Sequence, residues 1–338
     1  MVPPFPAPRS VGGAQSSSDP MDSRMGAPRL ALAERSVLGG QSADDRDGVV
    51  EAALRPHFTL LELIGGGGMS RVHLARDHRL DRLVAIKMLL PELWDRRADR
   101  ERFRREARML ASLRHPGIMP VFALGEAAGV PYFVMPYVSG PCLARRIAEG
   151  PRLAEREASA LVAALADAVA AAHAAGIVHR DIKAENVLLE EGRPILADFG
   201  VATLHTSDHS RSELSLGLGT VACMAPEQLL GRQDSDGRSD VYSLGVLAFQ
   251  VLTGRPPFAG TGRELAAQHI ARPAPRVSIF RPGISPQLDD VVLRCLAKEP
   301  SQRFPSAAAL RDELRALAAP REASRSRSWR ERWLRRPA

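Results

Sequence analysis

Between residues 179 and 198 the chain places Asp181, Lys183, Asn186 and Asp198. His179–Asn186 reads HRDIKAEN, and Asp198-Phe199-Gly200 follows. These residue types at this spacing suit phosphoryl transfer. A carboxylate such as Asp181 can accept or orient an attacking hydroxyl. An ammonium such as Lys183 can neutralise the moving phosphoryl. Oxygen ligands such as Asn186 and Asp198 can hold a divalent metal.

Such a loop has to be held by rigid elements. Upstream, Glu155–Ala175 has a long Ala/Leu/Val helical pattern closed by Gly176, a good helix-ending residue. Downstream, Val187–Leu189 is apolar. Nearer the N-terminus, Phe58–Ile64 reads as a strand that runs into Gly65-Gly66-Gly67-Gly68-Met69-Ser70-Arg71-Val72. Four glycines alone predict only a flexible turn. Set between two strands, they let backbone N–H groups approach phosphate oxygens with no side chain in the way.

Val84-Ala85-Ile86-Lys87 is the pattern of a buried strand ending in a lysine, whose ammonium needs a partner to offset its desolvation. The charged amphipathic helix predicted over Asp95–Leu113 offers Glu106, with Glu101 as the alternative; the plain reading of either is a solvated helix charge. Tyr132–Met135 predicts a further strand leading to Pro136-Tyr137-Val138-Ser139-Gly140. Beyond residue 220, helices are predicted over Asp240–Thr253, Glu264–Ala271, from Ser285-Pro286 to Lys298, and Ser306–Ala318.

Taken together, HRDxKxxN followed by DFG, a Gly-rich hairpin, VAIK and Met224-Ala225-Pro226-Glu227 resemble the protein-kinase motif set in its usual order. Over roughly residues 58–317 the chain resembles a bacterial, eukaryotic-type Ser/Thr protein kinase. That resemblance implies an α+β, two-lobed fold. A small antiparallel-sheet N-lobe with one regulatory helix sits on a larger helical C-lobe, with ATP bound between them. The implied boundaries are 56–317 for the domain, with an N-lobe over 56–135, a hinge over 136–140 and a C-lobe over 141–317.

The resemblance also assigns roles. Asp181 is the implied base and Lys183 steadies the γ-phosphoryl. Lys87 holds the α- and β-phosphates and is held by Glu106. Asn186 and Asp198 bind Mg2+, with Mn2+ as the alternative. Gly65, Gly67 and Ser70 belong to the phosphate loop. Ile64 and Val72 cap the adenine, Leu188 floors it, and Ala85 and the gatekeeper Met135 complete its pocket. The Pro136 carbonyl and the Val138 N–H face the adenine edge. His179 is expected to pack, Arg180 to meet a phosphorylated activation segment, Glu227 to pair with Arg303, and Asp240 to brace the catalytic loop.

Departures from the family pattern are Ser70 for a glycine, Pro136 for an acid, Ala184 for a proline, and Val221 and Cys223 for Pro and Tyr. Val221 and Cys223 fall in the peptide-docking segment, so they bear on substrate preference. Lys183 and Thr220 follow the Ser/Thr form, which implies protein Ser or Thr hydroxyls as acceptors. The segment 201–218 holds six candidate phosphoacceptors: Thr203, Thr206, Ser207, Ser210, Ser212 and Ser215.

Composition narrows the alternatives. The 45% hydrophobic and 25% charged fractions are those of an ordinary globular chain. No apolar run of about 20 residues is expected to span a bilayer, and the N-terminus lacks the apolar core of a secretory signal, so the expectation is cytoplasmic. Cys142, Cys223 and Cys295 lie far apart and offer no metal or disulfide framework. Of the +7 net charge most belongs to residues 319–338, which hold seven basic and two acidic groups, so no nucleic-acid-binding core is indicated. Only three of the 46 basic residues are lysines, Lys87, Lys183 and Lys298, and the first two sit at the motif positions.

Residues 1–55 are expected to be disordered, with Met21 and Met25 as alternative starts. In the 318–338 tail, Trp329 and Trp333 share one helical face among arginines. That predicts either a solvated, disordered tail or contact with anionic lipid or an acidic partner. A second copy of the chain is a further candidate partner. Two rival functions stand beside the kinase: a pseudokinase scaffold that binds nucleotide or partners without catalysis, and a small-molecule phosphotransferase. The rivals differ in testable ways. The departures at Ser70, Pro136, Ala184, Val221 and Cys223 favour a scaffold, the presence of Lys87, Glu106, Asp181, Asn186 and Asp198 speaks against it, and a small-molecule enzyme would lack the Ala225-Pro226-Glu227 segment and Arg303.

Overall fold

The computed structural model describes residues 41–199, 221–232 and 236–319. Five antiparallel strands make one sheet in the order β1-β2-β3-β5-β4: β1 Phe58–Gly66, β2 Ser70–Asp77, β3 Arg82–Leu89, β4 Ala123–Ala127 and β5 Val130–Pro136. β3 is buried from Val84 to Leu89, as a central strand with both faces covered must be. Its register sets Ala85 beside Met135 and Lys87 beside Phe133. The helix α2, Arg97–Ser112, lays Phe103, Ala107 and Leu110 on this sheet, with the Phe103 and Phe133 rings 5.2 Å apart.

The second lobe is helical: α3 Leu143–Glu149, α4 Glu155–Ala174, α5 Pro226–Leu229, α6 Arg238–Thr253, α7 Gly262–Ala271, α8 Pro286–Cys295 and α9 Ala307–Ala318. A hairpin, β6 Val187–Glu190 with β7 Arg193–Leu196, lies under the cleft. α6 is its axis, with Leu244, Val246, Leu247 and Phe249 removed from water; each such side chain contributes roughly 1.5–3 kcal/mol. The local signals that ended these helices in the sequence act as expected. Gly254 closes α6 at φ 77°, Gly176 follows α4 at φ 75°, and Ser285 Oγ accepts from the Leu288 N–H at 3.3 Å. The predicted run to Lys298 ends earlier, at Cys295.

The lobes are joined at Val138–Gly140. Gly140 is required there, because a Cβ would fall 1.7 Å from the Leu189 carbonyl oxygen. The Leu189 N–H donates to the Pro141 carbonyl at 3.0 Å, so the hinge is fastened to the floor of the cleft. Asp167 of α4 ties three elements together. It accepts from Arg311 and Arg315 of α9 at 2.9 Å each, and His115, just after α2, lies 3.6 Å away.

Two expectations are corrected. Disorder through residue 55 gives way to a helix, α1, over Gln41–Leu54, which turns Val50 and Leu54 into the N-lobe with 3% and 1% of their surface left exposed. α1 contacts β1 and β4, the two edge strands, so it closes the open side of the sheet. Two apolar anchors in a polar stretch do not make a readable helical stripe, and tertiary packing supplies the stability that propensity does not. Nor is it true that no stretch is long and apolar enough to cross a bilayer. α4 is, by length and composition, and half of its most apolar window is buried against the C-lobe core. Alanines carry that hydropathy, and they let α6 and α9 approach closely.

Candidate active site

β3 and α2 deliver the first pair. Lys87 Nζ donates to Glu106 Oε1 at 2.9 Å and, across the cleft, to Asp198 Oδ1 at 2.9 Å. Burial disfavours the Lys87 charge, yet Asp198 and Glu106 hold its pKa above the ordinary lysine range. Burial pushes Glu106 upward and Lys87 offsets part of that. Burial acts upward on Asp198 as well, but there the Lys87 ammonium prevails and the carboxyl lies below its usual range. Glu101, the alternative partner, instead bonds Arg97 at 2.7 Å on the solvent side of α2.

The catalytic-loop residues come from the turn between α4 and β6. Asp181 is bracketed: Lys183 Nζ donates to Oδ2 at 2.8 Å, and Asn186 Nδ2 donates to Oδ2 at 3.0 Å and to the Asp181 carbonyl at 2.9 Å. The loop is shaped from behind by Asp240 of α6, which is wholly buried and accepts from the His179 and Arg180 N–H groups at 2.8 Å each. His179 packs, as expected, with its ring 4.3 Å from Phe199; burial keeps it neutral, and its Nδ1 accepts from the Asp181 N–H at 3.2 Å. Arg180 and Asp198 both have left-handed backbones, φ 66° and 55°, a conformation that costs about 1–3 kcal/mol and clusters at functional sites.

The candidate nucleotide walls are arranged between the lobes. Gly65 pairs with Val72 across the hairpin, Gly67 N–H donates to the Ser70 carbonyl at 2.9 Å, and Ser70 is buried. Ala85, Met135 and Val138 are buried, whereas Ile64, Val72 and Leu188 are half-buried against the core. Pro136 ends β5 opposite Val84. Leu188 bridges to Cys142, so floor and hinge meet.

Asn186 and Asp198 make an oxygen-only donor set. The Asn186 NH2 is taken by Asp181, which leaves its amide oxygen for a ligand, and the Asp198 carboxylate is part-exposed. Two such donors, with remaining positions for water and phosphate oxygens, fit a hard divalent cation. The Ala197 N–H donates to the Asn186 carbonyl at 2.8 Å, which joins the two segments.

Beyond the loop, Arg303 of the C-lobe forms a bidentate pair with Glu227 at 2.7 and 2.8 Å, with Arg303 fully buried. Ser243 Oγ donates to the Cys223 carbonyl at 2.7 Å, and Gln228 Nε2 donates to the Arg180 carbonyl at 3.1 Å. These bonds lock the segment Val221–Ala225 beside the catalytic loop. The Cys223 thiol is pushed up to about 12 by burial and by Glu185 and Asp181, so it remains protonated. Gly200, the segment 201–218, Gly219, Thr220 and the tail with Trp329 and Trp333 lie outside the described residues.

The sequence reading missed His173, whose Nε2 lies 2.8 Å from Asp240 Oδ2 and completes the brace. A histidine in the last turn of an alanine-rich helix was the only signal. It also missed a cluster around His269 and Lys298, for which no local signal exists.

Residues 58–314 match the family model described as protein kinase domain. Serine/threonine-protein kinase PknB of Mycolicibacterium smegmatis is 39% identical over 268 residues, and PknB of Mycobacterium tuberculosis 41% over 269. Each alignment covers 77% of this chain and 43% of the relative. PrkC of Bacillus subtilis is 38% identical over 252 residues, 74% of this chain and 39% of the relative. The chain thus spans about two-fifths of the length of these curated relatives. Among solved structures, the kinase domain of Mycobacterium tuberculosis PknI superposes with a TM-score of 0.60 at 32% identity, covering 78% of this chain and 96% of that one.

Proposed function

This chain belongs to the protein kinase domain family, and we propose that it transfers the γ-phosphoryl of ATP to Ser or Thr hydroxyls of protein substrates. The observation that carries this reading is the position of Lys87, bonded at once to Glu106 of the N-lobe and Asp198 of the C-lobe. One ammonium at the junction of both lobes is suited to hold phosphate oxygens between them.

The residues divide the work by charge. Lys87, fixed by Glu106, orients the α- and β-phosphates under the Gly65–Ser70 hairpin. Asp181 accepts or orients the proton of the acceptor hydroxyl, and its bond to Asn186 keeps the carboxylate aimed. Lys183, 2.8 Å from Asp181, neutralises charge that builds on the moving phosphoryl. Asn186 and Asp198 would hold Mg2+, or Mn2+, which when bound offsets phosphate charge. Ile64, Val72, Ala85, Met135 and Leu188 supply the apolar walls, and Pro136 and Val138 the backbone acceptor and donor, for the adenine. Catalysis of this kind is mostly positioning and electrostatics. The activation segment 201–218 supplies the acceptors for self-phosphorylation in this reading, and the cytoplasm is its compartment.

The presence and mutual bonding of these groups support the active enzyme over a pseudokinase. The test is incubation of the purified chain with Mg-ATP and a generic protein substrate, followed by mass spectrometry, beside Lys87→Met. Phosphoserine or phosphothreonine in the wild-type sample alone is the expected result. Absence of phosphate on both proteins, with nucleotide still bound, would replace the kinase by the scaffold.

A further inference from the structure

Lys298 is the one lysine of the chain that the proposed chemistry leaves unused. Its ammonium donates to the Gln268 and His269 carbonyls in the last turn of α7 at 3.2 and 2.7 Å, and the Gln268 carbonyl also accepts from the Arg272 N–H at 3.0 Å. It also stands 4.4 Å from the Phe258 ring centroid and 5.8 Å from that of Tyr242. This is an expensive place for a cation. Burial and the neighbouring Arg303 lower the Lys298 pKa to about 8.

The residue it fixes reaches the docking segment. His269 is buried, its Nδ1 lies 2.9 Å from the Tyr242 hydroxyl, and its ring stands 4.9 Å from that of Phe258, which clusters with Val221 and Leu265 and has Ala222 packed against it. Burial, followed by Lys298, lowers the His269 pKa to about 4, so the ring is neutral with one donor and one acceptor. Ala222 is two residues from Met224 and one from Cys223, the carbonyl that Ser243 anchors. The near side of α7 therefore holds Val221 and Ala222 through Leu265 and the Phe258 ring that His269 packs on, and Lys298 caps the helix at His269.

We propose that Lys298 and His269 are positioning residues for protein-substrate docking, holding Val221–Ala225 against α6 and α7 and so setting acceptor affinity without touching the reacting atoms. This rests on the phosphotransferase reading. In a Lys298→Met variant, KM for a protein substrate should rise about tenfold, with kcat and the KM for ATP within about twofold of wild type. Lys298→Arg, which keeps the charge and donors, should restore KM. Hydrogen exchange of the 221–225 amides should speed up in Lys298→Met and in His269→Leu, with no change at 179–186. Lys298→Gln serves where the Met variant does not fold. Unchanged KM together with unchanged exchange would overturn the proposal, as would a fall in kcat alone. A wild-type chain that transfers nothing would overturn the kinase reading instead; localised acceleration of exchange in that chain would still uphold the anchoring, and its absence would remove it.

Discussion

Lys87 Nζ and Glu106 Oε1 stand 2.9 Å apart with only 8% and 10% of the two side chains exposed, although nineteen residues of sequence separate them. The bond can form only when α2 is docked on β3 in this register, so the pair reports the position of the helix as well as the charge state of the cleft. Replacing Lys87 by Met should lower transfer at least a hundredfold. It also strands Glu106 in a buried site, at a cost of about 3 kcal/mol. Steady-state kinetics and urea unfolding measure the two effects. A variant that keeps a tenth of wild-type activity would remove Lys87 from the phosphate-holding role.

Asp181→Asn keeps the shape of the side chain and its contacts but removes the proton acceptor. Transfer should fall by about 10²–10⁴, with nucleotide affinity nearly unchanged. Single-turnover kinetics beside a fluorescent-nucleotide titration separates those outcomes. Loss of nucleotide binding would mean that Asp181 shapes the pocket and does no proton chemistry.

The Glu227–Arg303 pair predicts a stability effect far from the cleft. Arg303 also donates to the Ala297, Arg238 and Lys298 carbonyls at 2.8–2.9 Å. Glu227→Leu should cost about 3–5 kcal/mol because a buried guanidinium is left uncompensated. Removing both partners should cost less than the sum of the single changes, and a double-mutant cycle by denaturant unfolding measures the coupling.

His269 makes the fold sensitive to acid. Its folded-state pKa is lowered to about 4 from 6.5, first by burial and then by Lys298; the Tyr242 hydroxyl also faces it, and Arg303 lies over the Tyr242 ring at 4.9 Å. Between those two values the unfolded chain binds a proton that the folded chain refuses. Stability is therefore fully present above about pH 6.5 and is lost as pH falls toward 4, by at most about 3 kcal/mol. His269→Gln should flatten that part of the profile. Parallel acid-side curves for the two proteins would count against a titrating His269.

Leu54→Ala should destabilise the domain by about 2–5 kcal/mol, the usual range for a buried leucine. Thermal unfolding of the whole chain tests this. No change in melting temperature would mean that α1 is only loosely applied to the sheet.

How much of this was legible depended on how locally each feature is encoded. HRDIKAEN, the Gly-rich hairpin and Val84–Lys87 announce themselves because rare residue types recur at fixed short spacings. The choice of Glu106 over Glu101 could not be made from the helix alone, since both lie on α2; only the buried face toward Lys87 decides it. His173 and Asp240 are sixty-seven residues apart, and the Lys298 cluster draws on residues 242, 258, 268 and 269. Contacts of that kind exist only once α4, α6 and α7 have packed, so no periodicity foretells them. α3 and β4 went unread because they are short, and α1 because Val50 and Leu54 are its only buried anchors among the side chains described.

α1 also bears on where the folding unit starts. The stretch shared with the family begins at residue 58, yet Val50 and Leu54 complete the apolar packing between β1 and β4. A chain trimmed to the shared stretch would open a greasy seam along both edge strands, with unpaired backbone groups beside it. Self-association through that seam, more than loss of catalytic groups, would be the failing of so short a version.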